Sequence, residues 1–173
     1  MALPAHTKVV DLGTGSGAIA LTLASQRPQW QVTAVDYSAD AVALAERNRR
    51  RLQLSNVSIQ QSNWYSAIEG QRFDLIVSNP PYIDAADPHL QQGDVRFEPL
   101  SALVAPADGL ADIRLICQQA PAHLHAGGWL WLEHGHQQHY AVQQLLQDAG
   151  FCQVQSCRDY GGNWRISGGQ LPN

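Results

Sequence analysis

A short apolar run, Lys8-Val9-Val10-Asp11-Leu12, leads straight into Gly13-Thr14-Gly15-Ser16-Gly17, and a helical stretch from Ala18 to Gln26 follows at once, with Pro28 beyond its end. This is the most constraining stretch of the chain. The glycines permit backbone angles that other residues avoid and leave no side chains between the backbone and a ligand. The first N–H groups of the helix point at the same place. Strand, glycine-rich turn and helix in that order make a nucleotide-type loop, and they favour an α/β fold.

The rest of the chain repeats the alternation. A second strand, Gln31 to Val35, ends in Asp36, about 20 positions past the glycine turn, where a carboxylate is placed to accept from ribose hydroxyls. Ser38 can cap a helix from Ala39 to Leu52, whose apolar side uses Ala41, Val42, Ala45 and Leu52. A shorter third strand, Val57 to Ile59, is followed by Asn63 and Trp64, and a fourth, Arg72 to Ser78, runs into Asn79-Pro80-Pro81-Tyr82. Tyr82 to Leu103 reads as a long connection, of the kind that usually carries function. Asp112 to Leu124 is predicted helical, Gly127-Gly128 turns into a fifth strand at Trp129 to Glu133, and a helix from Gln137 to Ala149 ends at Gly150. Phe151 to Arg158 and Trp164 to Ser167 read as two closing strands joined across Gly161-Gly162.

This order predicts a doubly wound, mostly parallel seven-stranded sheet with an antiparallel edge hairpin. In such sheets ligands bind at the carboxyl ends of the strands. Gly13 to Gly17, Asp36, Asn63 and Asn79 all fall at predicted strand ends.

The fourth strand end has a chemistry of its own. Asn79 and Pro80 each precede a proline, which drives both out of helical geometry and into an extended path. The prolines offer no N–H, so their carbonyls remain as acceptors. The result is a stiff ledge bearing one amide, outward carbonyls and the Tyr82 ring. It suits a planar group carrying an NH2: the Asn79 side-chain oxygen and the Pro80 carbonyl accept one N–H each, and Tyr82 covers the face. The plainer alternative is a proline-rich turn.

Composition narrows the classes. With 173 residues and 15% charged, the chain is ordinary globular material for one domain over residues 1–173. A net charge of −4 does not advertise nucleic acid, and Arg47, Arg49, Arg50 and Arg51 read as a solvated helix face. Cys117, Cys152 and Cys157 lack metal or redox spacing and fit a reducing compartment. His123, His125, His134, His136 and His139 sit at a strand end and a helix start, not in a ligand-cage pattern, so no metal is expected. There is neither a signal peptide nor a long apolar run, which points to the cytoplasm and away from membranes.

Asp11 to Gly17 resembles the S-adenosylmethionine loop of class I methyltransferases, and Asn79-Pro80-Pro81-Tyr82-Ile83 resembles the amino-methyltransferase motif. With Arg96-Phe97-Glu98-Pro99, Asp108-Gly109-Leu110 and Cys157-Arg158-Asp159-Tyr160-Gly161, the pattern is similar to the HemK/PrmC family of protein-(glutamine-N5) methyltransferases, from residue 8 to about 166. That resemblance implies methyl transfer to the side-chain amide of the glutamine in the Gly-Gly-Gln motif of peptide-chain release factors. It implies a cofactor set of Asp11, Gly13, Thr14, Gly15, Gly17, Asp36, Tyr37, Asn63, Trp64 and Asn79. Asn79, Pro80 and Tyr82 would be catalytic, and Pro81 and Glu98 would join them in binding substrate. The release factor is the implied partner and a monomer the expected state.

The sequence departs from that family pattern in four ways. The family carries a helical N-terminal domain, whereas this sequence reaches its first strand at Lys8 and reads as the catalytic domain alone. Asn63 stands where the family usually has aspartate. Asn163 precedes Trp164 where an acidic residue is usual. Finally, Gly168-Gly169-Gln170 repeats the substrate tripeptide inside the enzyme, which reads as coincidence.

The chemistry asked of the ledge is specific. An amide nitrogen shares its lone pair with its carbonyl and is a poor nucleophile. Two acceptors on its N–H bonds aim it and stabilise the charge that develops, with no general base required before methyl transfer and no metal. Other readings remain open at this stage. They are an adenine or guanine amino-methyltransferase, a dinucleotide binder and a cofactor-binding module without turnover. The Gly-x-Gly-x-Gly spacing departs from the dinucleotide Gly-x-Gly-x-x-Gly pattern.

Overall fold

The computed structural model describes residues 3–82 and 109–173. Its strands are β1 (Lys8–Leu12), β2 (Gln31–Asp36), β3 (Val57–Gln61), β4 (Phe73–Ser78), β5 (Leu124–Glu133), β6 (Cys152–Arg158) and β7 (Trp164–Gln170). They form one sheet in the order β3-β2-β1-β4-β5-β7-β6. β1 pairs in parallel with both β2 and β4, and β4 with β5, while β7 runs antiparallel between β5 and β6. The predicted doubly wound sheet with an antiparallel edge hairpin is therefore present. The strand order reverses at β1 and β4, which opens a crevice between their carboxyl ends.

Helices cover both faces, which is why β1 and β4 read as continuous apolar runs rather than alternating ones. On one face Val10, Leu12, Ile76, Leu130 and Leu132 pack with Ile113 and Ile116 of α3 (Ala111–Gln119) and Val142 and Leu146 of α4 (His139–Asp148). On the other, Val9, Val32, Ala34 and Leu75 pack with Ala20, Leu21 and Ala24 of α1 (Ala18–Gln26). No helix among the described residues is long and apolar enough to cross a membrane.

Several predicted boundaries move, each for a local reason. The helix read as Asp112 to Leu124 ends as an α-helix at Gln119 and tightens into a 3-10 turn over Ala120–His123, because Pro121 has no N–H for the α pattern. The glycine pair before strand five is part of it: β5 starts at Leu124, its register slips between Phe73 and Leu75, and Gly127 donates to the Leu171 carbonyl. β3 runs two residues past Ile59 and β7 three past Ser167. In α2 (Ala39–Arg51) only Ala45 is buried, and Leu52, expected on its apolar side, is 55% exposed. The Ser38 cap is present, with its hydroxyl accepting from the Ala41 N–H. Arg49 and Arg50 both pair with Glu46, which holds its carboxyl down to about 2. Burial pushes the Cys117 thiol up to about 12.

The Gly168-Gly169-Gln170 tripeptide is explained by packing. A β-carbon at Gly168 would run into the Trp131 ring, and one at Gly169 would sit 2.8 Å from the Phe151 Cβ. Gln170 donates from Nε2 to the Gly127 carbonyl. These residues are glycines and a locked amide inside a strand.

Candidate active site

The carboxyl ends of β1, β2 and β4 are tied together. The glycine loop hangs on β2 through the Gly13 and Thr14 N–H groups, both donating to the Val35 carbonyl at 2.9 Å. At the end of β2, Asp36 accepts the Gly15 N–H at 2.8 Å through one oxygen and the Ser38 N–H at 2.9 Å through the other. The Ser78 hydroxyl at the end of β4 donates to the Leu12 carbonyl at 2.7 Å, joining the ledge to the loop. Gln61 at the end of β3 donates to the Tyr37 carbonyl, and the Tyr37 ring is 76% exposed beside the same edge.

Asp11 does two jobs. Helix α1 starts at Gly17 with no side-chain cap of its own. Instead Oδ2 of Asp11 accepts the Ala20 N–H at 3.1 Å, so a strand residue caps the helix, and it also accepts the Thr14 hydroxyl at 2.7 Å. Its other oxygen, Oδ1, is buried with no hydrogen-bond partner. Burial raises the Asp11 pKa to about 6, against the lowering effect of the Thr14 and Ala20 bonds and with a smaller upward push from Asp36.

The glycines separate by role. Gly15 has φ +56° with nothing within 4 Å of where a β-carbon would sit, so it opens onto free space. Gly17 is a packing position, since a β-carbon there would meet Leu21 at 2.8 Å and Ala45 at 3.4 Å. Trp64 stands at φ +49° with its ring against Gly13, and it works to lower the pKa of the Asp112 carboxyl on α3 against the larger upward effect of burial. Asn63 is exposed, and its backbone closes a turn onto Ser66.

On the ledge, Asn79 is exposed and Pro80 buried. Neither the Asn79 side chain nor the Pro80 carbonyl makes a hydrogen bond to any described residue. Tyr82 is half-buried: its hydroxyl donates to Glu133 Oε1 at 3.3 Å, and its carbonyl accepts from Gln138 Nε2 at 3.2 Å. Glu98 lies outside the described residues, as do Ile83, Arg96, Phe97, Pro99 and Asp108.

The structure thus gathers the predicted strand-end residues along one edge. Beside them lie Ser78, Asp112, Glu133 and Gln138, which sequence reasoning had not marked as candidate site residues. Glu133 was within reach of that reasoning, because an acidic residue closing a predicted strand is the same signal that singled out Asp36.

Known proteins agree with this architecture. The family model for the methyltransferase small domain matches residues 1–94. The release factor glutamine methyltransferase of Pseudomonas aeruginosa is 64% identical over 162 residues, covering 94% of this chain and 59% of that protein. The release factor glutamine methyltransferase of Salmonella typhimurium is 57% identical over 170 residues, covering 98% and 61%. The chain therefore spans about 60% of the length of these curated relatives. Among solved structures, a methyltransferase from Pyrococcus furiosus superposes with a TM-score of 0.72 at 22% identity, covering 97% of this chain and 76% of that one, a likeness of fold. The relatives' names agree with the resemblance drawn from the glycine loop and the ledge. On the family model that covers residues 1–94, the chain belongs to the methyltransferase small domain family.

Proposed function

We propose that residues 1–173 act as one S-adenosylmethionine-dependent domain. On this reading it methylates the side-chain amide nitrogen of the glutamine in the Gly-Gly-Gln motif of a peptide-chain release factor. The observation that carries the reading is the state of the ledge. Asn79 and the Pro80 carbonyl are two acceptors without hydrogen-bond partners among the described residues, on a proline-stiffened segment that Ser78 fastens to the glycine loop.

The edge fits the cofactor. The buried Oδ1 of Asp11 is an acceptor with no hydrogen-bond partner in the fold, and Gly15 opens onto free space. Asp36 has accepting capacity left for ribose hydroxyls after its two backbone bonds, since an ionised carboxylate offers about four acceptor sites. Gly13, Thr14 and Gly17 shape the loop, Tyr37 and Trp64 supply aromatic surface, and Asn63 offers an amide for adenine. When bound, S-adenosylmethionine supplies a methyl group on a sulfonium that needs no further activation. Asn79 and Pro80 accept the two amide N–H bonds of the substrate and hold its nitrogen toward the loop. Pro81 stiffens the segment, Tyr82 anchors its end, and Glu98 joins in binding substrate. The names and identities of the relatives support the choice of substrate. The same reading has the chain working as a cytoplasmic monomer.

The test is methyl transfer from labelled S-adenosylmethionine to full-length release factor, to a Gly-Gly-Gln peptide and to DNA. Label on the glutamine side chain of the release factor supports the proposal. Label on DNA alone would indicate a nucleic-acid amino-methyltransferase, and cofactor binding without label anywhere would indicate a binding module.

A further inference from the structure

We propose that Gln138 is a positioning residue for the Asn79–Tyr82 ledge, held in place by a hydrogen-bond chain that ends at His134. The proposal rests on the function assigned above to that ledge.

Gln138 lies at the N-terminal end of α4, and its side chain bridges two segments. Its Oε1 accepts the Gly135 N–H at 2.8 Å and its Nε2 donates to the Tyr82 carbonyl at 3.2 Å. One partner is a donor and the other an acceptor, so the amide has only one orientation that satisfies both. Gly109 closes the arrangement from a third stretch. A β-carbon there would collide with the Tyr82 carbonyl and sit 2.8 Å from Gln138 Nε2. Three segments distant in sequence therefore meet at the carbonyl where the ledge ends.

The turn that carries Gln138 is itself locked. The Gly135 carbonyl accepts the Gln138 N–H at 2.9 Å, and His134 Nδ1 lies 2.9 Å from the same oxygen. A carbonyl only accepts, so Nδ1 carries the proton and Nε2 is left as an acceptor. Ser167 then donates to Nε2 at 2.8 Å, Ser156 donates to Ser167 at 2.6 Å, and Gln143 Nε2 donates to Ser156 at 2.8 Å. The chain runs one way, from α4 through β6 and β7 to the end of β5, and each donor in it has an acceptor. His134 and Ser167 are fully buried, so an unmade link would be costly. Such a network fixes a turn in one geometry, which a ledge requires if it is to hold an amide nitrogen in line with a methyl group.

The test uses Gln138→Glu in this chain, with Gln138→Met beside it. Glutamate keeps an acceptor for Gly135 but has no donor for the Tyr82 carbonyl, and methionine loses both contacts. Two readouts are taken: kcat and KM on full-length release factor with S-adenosylmethionine, and the Asn79 side-chain amide resonances of 15N-labelled protein. We expect Gln138→Glu to lose about 10- to 100-fold in kcat, the cost of a small misplacement. KM and cofactor affinity should be unchanged, and the Asn79 resonances should shift or split. Gln138→Met should lose kcat in the same way, with a lower melting temperature. Wild-type kcat together with unmoved Asn79 resonances in Gln138→Glu would overturn the proposal. If wild-type protein fails to methylate the release factor, the functional assignment falls, and the Asn79 resonances alone decide the positioning role: unmoved, they overturn it.

Discussion

The Asp36 carboxylate at the end of β2 accepts the Gly15 N–H at 2.8 Å, across 21 residues of sequence. The residue proposed to bind ribose therefore also holds the glycine loop. Asp36→Ala removes both functions and should weaken S-adenosylmethionine binding by about 1.5–3 kcal/mol, the scale of a lost charge-assisted hydrogen bond. Asp36→Asn keeps one acceptor and should fall between alanine and wild type. Titration calorimetry checks the order, and unchanged affinity in the alanine variant would remove Asp36 from the site.

Asp11 makes stability depend on pH in an unusual direction. Its folded pKa, about 6, lies above the ordinary 3.8, chiefly through burial. Between those values the folded chain holds a proton that the unfolded chain has released. Stability from this group is thus fully present below about pH 4 and falls as pH rises toward 6, by on the order of 3 kcal/mol. Asp11→Asn abolishes this dependence. Urea denaturation at about pH 4 and about pH 7 should show wild type losing ground to Asp11→Asn at the higher pH. A constant difference between the two proteins would show that Asp11 titrates normally.

Gly168→Ala should destabilise the fold without touching the chemistry. The added methyl meets the Trp131 ring across the β5–β7 pair, and overpacking of this kind costs about 1–3 kcal/mol. Melting temperature should drop while the methylation rate per folded molecule stays at wild type. A rate loss at unchanged stability would mean that the Gly168-Gly169-Gln170 stretch has a part in the reaction after all.

How much of this was legible in the sequence depends on the range of the interactions. The loop, Asp36 and the ledge could be read because each is announced locally, by glycines after an apolar run, an acid closing a strand or a pair of prolines. Short-range conflict accounts for the misplaced ends. Pro121 cut α3 short inside an otherwise helical pattern, and the glycines at 127 and 128 looked like a turn although they lie in a strand. Gln138 and Asp112 were not legible as site residues. They meet Tyr82 and Trp64 across 56 and some 48 positions, and no local pattern encodes that. Asp11 was read as a cofactor residue, but its role as the cap of α1 appears only once strand and helix are set side by side.

The central claim is that Asn79 aims the substrate amide. Single-turnover methylation of the release factor at saturating S-adenosylmethionine, by wild type, Asn79→Ala and Asn79→Asp, tests it most directly. The side chain is exposed and makes no hydrogen bond to the described residues, so its removal should leave folding and cofactor affinity near wild type. Its demand arises as the nitrogen gives up its lone pair, so the loss should appear in the rate. Asn79→Ala should be slower by about a hundred- to a thousand-fold, the cost of removing one preorganised group, and Asn79→Asp, which keeps an acceptor, should retain more activity. A wild-type single-turnover rate in the folded fraction of Asn79→Ala, with melting temperature and cofactor binding lowered together, would contradict the account.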